Sequence, residues 1–325
     1  MDHIAVWSTK DRADLVREAA TIKKLAPEVV EKDFWVCWTL DRLFGSPAIA
    51  SKILFKGGTS LSKVFGLIER FSEDVDLILD WREVTKEDPA ATRSVSKQDD
   101  FNKQLLEHAH AYLRNKFLPE VQRVVAGVCH AVIEDNPEII KVKYPAAFPS
   151  SYLRPEIQLE IGPLASWVPN AVYNIRSYAA EALPELFTRH TCTVHAIKAE
   201  RSFWEKITIL HHEAHRPGGS TQPAGYSRHY YDVARMARTP VKQCALADLD
   251  LLKSVVAFKD KFYHRGWARY DLATPGTMKL IPPHHVLHAT EQDYENMRLM
   301  IFGDRPSFPD LIQDLRVLEA EINAL

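Results

Sequence analysis

Phe55-Lys56-Gly57-Gly58-Thr59-Ser60, with Ser72-Glu73-Asp74-Val75-Asp76-Leu77 downstream, joins a glycine turn to a pair of alternating carboxylates. Lys52-Ile53-Leu54-Phe55 reads as a short buried strand. Gly57-Gly58 lets the backbone turn sharply and approach a ligand closely. Thr59 or Ser60 is placed to cap a following helix with Leu61, Val64, Phe65 and Ile68 on one face. The N–H groups at such a helix start suit a phosphate. Val75, Leu77 and Leu79 then alternate with Asp74 and Asp76, so both carboxylates share one strand face. Paired carboxylates suit Mg²⁺, or Mn²⁺ in its place, because hard cations take oxygen ligands together with substrate phosphates. Either half is common alone; in this order they predict a bound nucleoside triphosphate and nucleotidyl transfer.

A third acidic ligand is sought on another strand. Glu156-Ile157-Gln158-Leu159-Glu160-Ile161 alternates cleanly and ends at Gly162-Pro163, which favours Glu160 near the strand end and keeps Glu156 as a second choice. Ile139 to Tyr144 reads as a neighbouring strand. Helices are expected over residues 11–44, 101–118 and about 308–323, and a polar loop over 81–100. From about 165 on, helices are expected to dominate, with a short strand at Cys192–Ile197. The expected organisation is N-terminal helices (1–45), an α/β (α+β) core with a mixed sheet (46–165), and a mainly helical C-terminal domain (166–325).

Composition narrows the class. The 325 residues are 46% hydrophobic, ample for a core of this size. Lysine and arginine (41) nearly balance aspartate and glutamate (43), a net charge of −2, so any nucleic-acid surface must be local. Cys37, Cys129, Cys192 and Cys244 form no CxxC, and Met-Asp-His-Ile lacks the features of a signal peptide. A cytoplasmic protein with no membrane segment is therefore expected. His211-His212-Glu213-Ala214-His215 falls short of HExxH because Arg216 stands where the second histidine is needed, and the run is expected to be a solvated helix end. His284, His285 and His288 are expected on the surface.

Several further stretches resemble the AbiEii/AbiGii nucleotidyltransferase toxins, of which the MenT toxins are examples. Lys56 to Leu61 and Arg70 to Leu77 are similar to that family's first motif. Glu31-Lys32-Asp33-Phe34-Trp35 is similar to its N-terminal signature, and Tyr144-Pro145 with Glu156–Ile161 to its middle strands. Glu200 to Lys206 resembles the helix bearing an essential lysine. Arg228-His229-Tyr230-Tyr231-Asp232 resembles its R-D-x-x-D run, with His229 in place of the first aspartate, so that the acidic role falls to Asp232. Asp293 to Met297 resembles a C-terminal signature. The resemblance implies a nucleotidyltransferase core, a helical C-terminal half, Mg²⁺-dependent transfer from an NTP to a tRNA 3′ end or other RNA, and a cognate antitoxin.

The expected site is therefore Asp74, Asp76 and Glu160 as metal ligands, with Lys206 and Asp232 completing the catalytic set. Lys56, Gly57, Gly58, Thr59, Ser60, Lys63 and Ser72 are expected to bind nucleotide. Lys63 or Lys206 would lie near the triphosphate, and phosphorylation of Ser72, placed by strand spacing on the Asp74 face, would block it. A small-molecule or protein acceptor, and a spent core kept as a regulatory module, are the competing readings. The preferred NTP and the oligomeric state are not legible.

Overall fold

The computed structural model describes every residue except Glu73, Ser151 and Tyr152. The chain divides into two compact units, Met1–Val64 with Phe71–Ile197 and Phe65–Arg70 with Lys198–Leu325.

The first unit opens with helices α1 (Asp2–Ala5), α2 (Thr9–Lys23), α3 (Pro27–Phe44) and α4 (Pro47–Ala50). The Ser8 hydroxyl accepts from Asp11 N–H to start α2, and Pro27 starts α3, where its missing N–H costs nothing. Then follow β1 (Ile53–Lys56), α5 (Gly57–Lys63), β2 (Asp74–Leu79), α6 (Val95–Tyr112), α7 (Leu118–Val125), β3 (His130–Val132), β4 (Ile139–Lys143), β5 (Glu156–Gly162), β6 (Asn170–Ile175), α8 (Tyr178–Ala182) and β7 (Cys192–Ile197). The strands make one mixed seven-stranded sheet in the order β3-β4-β5-β2-β1-β7-β6. β2–β5 and β1–β7 are parallel and the other neighbours antiparallel. Phe55, Val75, Leu77, Leu159 and Ile161 are buried in one core with Phe34, Trp35 and Trp38 of α3. Each such side chain contributes roughly 1.5–3 kcal/mol by leaving water.

Three sequence expectations change here. The helix after the glycine turn ends at Lys63, so Phe65 and Ile68 do not lie on it; Gly66, at φ +61°, turns the chain away. The charged stretch 81–100 is not all loop, since α6 begins at Val95. The sheet also continues past 165: β6 pairs with β7 along its whole length, and the first unit runs to Ile197. β6 escaped notice because its apolar residues are not buried in alternation, with Val172 64% exposed.

The second unit is helical: α9 (Ala199–Ala214), α10 (Ser227–Ala237), α11 (Pro240–Leu246), α12 (Leu249–Phe262), α13 (His284–Asn296) and α14 (Phe308–Asn323). α9 packs on α10, α11 and α12, and α10 on α14. Asp293 accepts from Gly225 N–H (2.6 Å) and Ser227 N–H (2.8 Å), fixing the start of α10. His211 is not solvated as expected. It is fully buried, with Nε2 2.9 Å from Arg269 O and Nδ1 accepting from Lys279 N–H at 3.1 Å. Both ring nitrogens are thereby used, which leaves none for a metal. His284, His285 and His288 are exposed. Among the described residues no helix is long and apolar enough to cross a membrane, and all four cysteines are free thiols.

Candidate active site

Strand pleat and register assemble the acidic face of the first unit. Val75 and Leu77 point into the core, which turns Asp74 and Asp76 to the other side. β5 lies parallel to β2 with Asp74 opposite Gln158 and Asp76 opposite Glu160. Residues opposite each other on neighbouring strands share a face, so Asp74, Asp76 and Glu160 form one carboxylate patch. Withdrawal from solvent and then the negative charges of Asp76 and Asp74 push the Glu160 carboxyl above its ordinary range, while Lys56 opposes them. Glu156, the second choice, is buried farther along the strand with Lys141 3.8 Å away.

The glycine turn is fitted to this patch. Gly57 has φ +77°, and a Cβ on it would fall 1.9 Å from Asp76 Oδ2. No other residue fits without displacing the carboxylate. Lys56, opposite Asp76 in the β1–β2 ladder, brings Nζ to 3.9 Å from Asp76 Oδ1. Thr59 and Ser60 do not cap α5. The Thr59 hydroxyl donates to Asp74 O at 2.5 Å and the Ser60 hydroxyl to Gly57 O at 2.9 Å. Both hydroxyls therefore fix the turn and the first residue of the acidic strand. Gly58 is buried beside them.

Lys63 is placed differently from expectation. Its side chain is 5% exposed and pairs with Asp33 at 2.7 Å under the Tyr178 ring. Burial pulls the ammonium down, and the Asp33 carboxylate outweighs it and holds Lys63 above the ordinary lysine value. Asp33 also accepts from Tyr178 N–H at 2.6 Å, while Glu31 accepts from Ala147 and Phe148 N–H at 2.7 and 2.9 Å. The acidic residues of the Glu31–Trp35 stretch are thus framework clamps. Ser72 precedes β2 rather than lying on it, so strand alternation does not fix its face, and Glu73 lies outside the described residues.

Lys206 and Asp232 meet inside the second unit, on α9 and α10, with Nζ 2.7 Å from Oδ2. Asp232 also receives Arg70, Nε to Oδ1 at 2.7 Å and Nη2 to Oδ2 at 2.8 Å. Burial alone would raise the Asp232 carboxyl; the Arg70 and Lys206 charges overcome this and hold it far below the usual range. Burial lowers Lys206, Asp232 opposes, and Arg70 and Arg228 lower it further. His229, the departure in this motif, is pushed well below ordinary histidine by burial and then by Lys206 and Arg228, and its buried Nδ1 has no hydrogen-bond partner among the described residues. Sequence reasoning quoted Arg70 within a motif but gave it no role; a lone arginine before a strand carries no signal of a partner more than a hundred residues away.

The donor chemistry on β2 and β5 fits a hard divalent cation. Asp76 and then Asp74 add to the upward push that desolvation gives Glu160, so the three carboxylates feel one another's charge. Among the described residues no three acidic, histidine or cysteine side chains already converge as a closed metal cage. Mg²⁺ in general takes one or two protein carboxylates and completes its shell with water and substrate phosphate.

The family model described as "Nucleotidyl transferase AbiEii toxin, Type IV TA system" matches residues 38–316. Among solved structures, the fold is similar to MenT4, a nucleotidyltransferase toxin from Mycobacterium tuberculosis H37Rv, with a TM-score of 0.51 and 14% identity. That likeness covers 97% of this chain and 90% of the other, and at this identity it speaks to the fold. No curated protein sequence matches the chain.

Proposed function

The chain belongs to the AbiEii family of nucleotidyltransferase toxins, and from its acidic face we propose that it transfers a nucleotide from an NTP to an RNA acceptor, foremost a tRNA 3′ end. The observation that carries this reading is the register of β2 and β5, which sets Asp76 opposite Glu160 with Asp74 on the same face. Asp74 and Asp76 would hold Mg²⁺ or Mn²⁺, with Glu160 as the third ligand or as base. When bound, the ion would neutralise phosphate charge and orient the α-phosphate.

The chain's own residues supply the rest. The Gly57 turn, free of a side chain, lets phosphate approach Asp76 and Lys56. An acceptor hydroxyl oxygen attacks the α-phosphorus as its proton passes to Glu160, whose raised pKa favours taking it. The α–β bridging P–O bond breaks, and its electron pair leaves with pyrophosphate. Lys206, buried on α9 with its ammonium against Asp232, is assigned a phosphate-facing role. Type IV toxin–antitoxin membership implies a cognate antitoxin.

The test incubates the protein with Mg²⁺, each labelled NTP in turn and total tRNA, then sizes the RNA. Extended RNA with one or more NTPs is expected, and Asp74→Ala should abolish it while the protein stays folded. A folded, fully active Asp74→Ala would overturn the assignment. Label entering a small molecule or protein instead would keep the chemistry and change the acceptor.

A further inference from the structure

The second unit holds a cavity of about 610 Å³ between α12 and residues 264–275. That volume falls in the range of small-molecule sites. Leu249, Leu252 and Val256 of α12 line one side, and Tyr270 and Pro275 the other. The second side is held from behind. Arg269, which also lines the cavity, has a left-handed backbone at φ 50°, unfavourable for a residue with a Cβ. The buried His211 ring donates to its carbonyl at 2.9 Å, and Tyr270 beside it is buried. Such a backbone persists only where its surroundings fix it, so this wall is preformed.

The charges around the cavity do not cancel. Asp260 faces His264 at 2.9 Å, Asp271 is taken by the Arg269 guanidinium at 2.9 Å, and Lys253 pairs with Asp250 at 2.7 Å. Arg265 lines the cavity too, exposed to solvent, and among the described residues no carboxylate pairs with it. Its charge reaches the Tyr270 phenol, where it opposes the upward push of burial. The cavity therefore joins an apolar interior to one spare guanidinium, whose fork fits the two oxygens of a carboxylate. One spare cation suits a monoanion and does not match a triphosphate.

We propose that this cavity binds a small monocarboxylate with an apolar body, aliphatic or aromatic. The body fills the space between Val256 and Pro275, and the carboxylate meets the Arg265 fork. Withdrawal of the ligand's apolar surface from water drives binding. The arginine selects the acid over a neutral alcohol of the same shape, which offers it no charge. Every lining residue belongs to the second unit, and none is assigned to nucleotidyl transfer. The site therefore stands apart from that reading and is not removed with it.

The test titrates octanoate and phenylbutyrate into the full-length protein labelled at leucine and valine methyls, with octanol and phenylbutanol as neutral matches. Binding is read by NMR. The Leu249, Leu252 and Val256 methyls should shift with the acids at or below about 1 mM. The alcohols should bind about 10–100-fold more weakly, the scale of losing a charged hydrogen-bond partner. Arg265→Gln should weaken the acids by the same factor and leave the alcohols unchanged. Ala257→Phe, at an exposed position lining the cavity, should block both. Both substitutions are at exposed positions, and thermal unfolding checks that the fold is kept. An NTP with Mg²⁺ should displace neither acid. No shift at these methyls, or equal binding of acid and alcohol, overturns the proposal. Undiminished acid binding in Arg265→Gln does the same, and displacement by an NTP with Mg²⁺ overturns the separateness of the site.

Discussion

Gly57 stands against Asp76 with no room for a single added carbon: a Cβ there would lie 1.9 Å from the carboxylate oxygen. The left-handed φ of +77° adds a second penalty for any other residue, of about 1–2 kcal/mol. Gly57→Ala should therefore lower transfer about 100-fold or more, the scale of losing one preorganised electrostatic partner. The loss of stability should be modest by comparison, because the Asp76 side chain can swing aside. Steady-state kinetics with a thermal-unfolding control checks this, and a normally active Gly57→Ala would show that Asp76 need not stay where it is.

Glu160 links the acidic patch to pH. Its folded pKa is raised, so the native state binds more protons than the unfolded chain between the ordinary carboxylate pKa and the raised value. Stability contributed at low pH is lost as pH rises through that window. Glu160→Gln should remove this loss and be at least as stable as wild type at pH 7 without divalent cation. Mg²⁺ should raise the wild-type Tm more than that of the variant. Transfer should fall about 10²–10⁴-fold if Glu160 is the base. Equal Mg²⁺ stabilisation of both proteins would remove Glu160 from the metal site.

Lys63 and Asp33 test whether a lysine beside the glycine turn works on phosphate or on the fold. Asp33→Ala strands a buried ammonium and should cost about 3–5 kcal/mol in urea unfolding. Lys63→Met keeps the aliphatic volume, removes the charge, and should cost less. A full-strength Km effect on NTP in a well-folded Lys63→Met would return Lys63 to the nucleotide site.

His211 makes stability depend on pH in the opposite direction to Glu160. Burial lowers its pKa to about 4, against an ordinary value near 6.5. The unfolded chain takes up the proton first, so the stabilisation from neutral His211 is full above the unfolded value and is lost as pH falls from about 6.5 towards 4. The slope is at most about 1.4 kcal/mol per pH unit for one histidine. Urea unfolding between pH 7 and pH 5 should show the decline, and His211→Gln should flatten it. Parallel curves for the two proteins would refute the assignment.

Asp232 serves two cations, so its loss should weigh more than that of either partner. Asp232→Ala removes the carboxylate that both Arg70 and Lys206 hold and should destabilise by about 3–5 kcal/mol or more. Lys206→Met leaves the Arg70–Asp232 pair whole and should cost less stability while losing transfer. Equal unfolding midpoints for the two variants would contradict this ranking.

Much of the acidic face was legible because strand periodicity is local. The spacing of Asp74 and Asp76 alone puts them on one face, and the alternation around Glu160 does the same for its strand. That these strands are parallel neighbours was not legible, since their pairing depends on contacts some eighty residues apart. Lys63 was misplaced for the same reason: its counter-charge, Asp33, lies on a helix preceding the glycine turn. His211 looked polar and therefore exposed, but the backbone of Arg269 and Lys279 satisfies its ring. β6, an edge strand with one side in solvent, needs little apolar sequence and shows little.

The chain leaves the first unit after Val64, gives six residues to the second, and returns at Phe71 before the final departure at Ile197. Neither unit is therefore encoded by one uninterrupted piece of the gene. A fragment ending at Ile197 would keep every strand of the sheet yet expose Glu69 and Arg70 without Arg235 and Asp232. A fragment beginning at Lys198 would bury Asp232 with half its counter-charge missing. Splitting the protein for complementation, or trading its helical half with a relative's, would have to carry residues 65–70 along with that half.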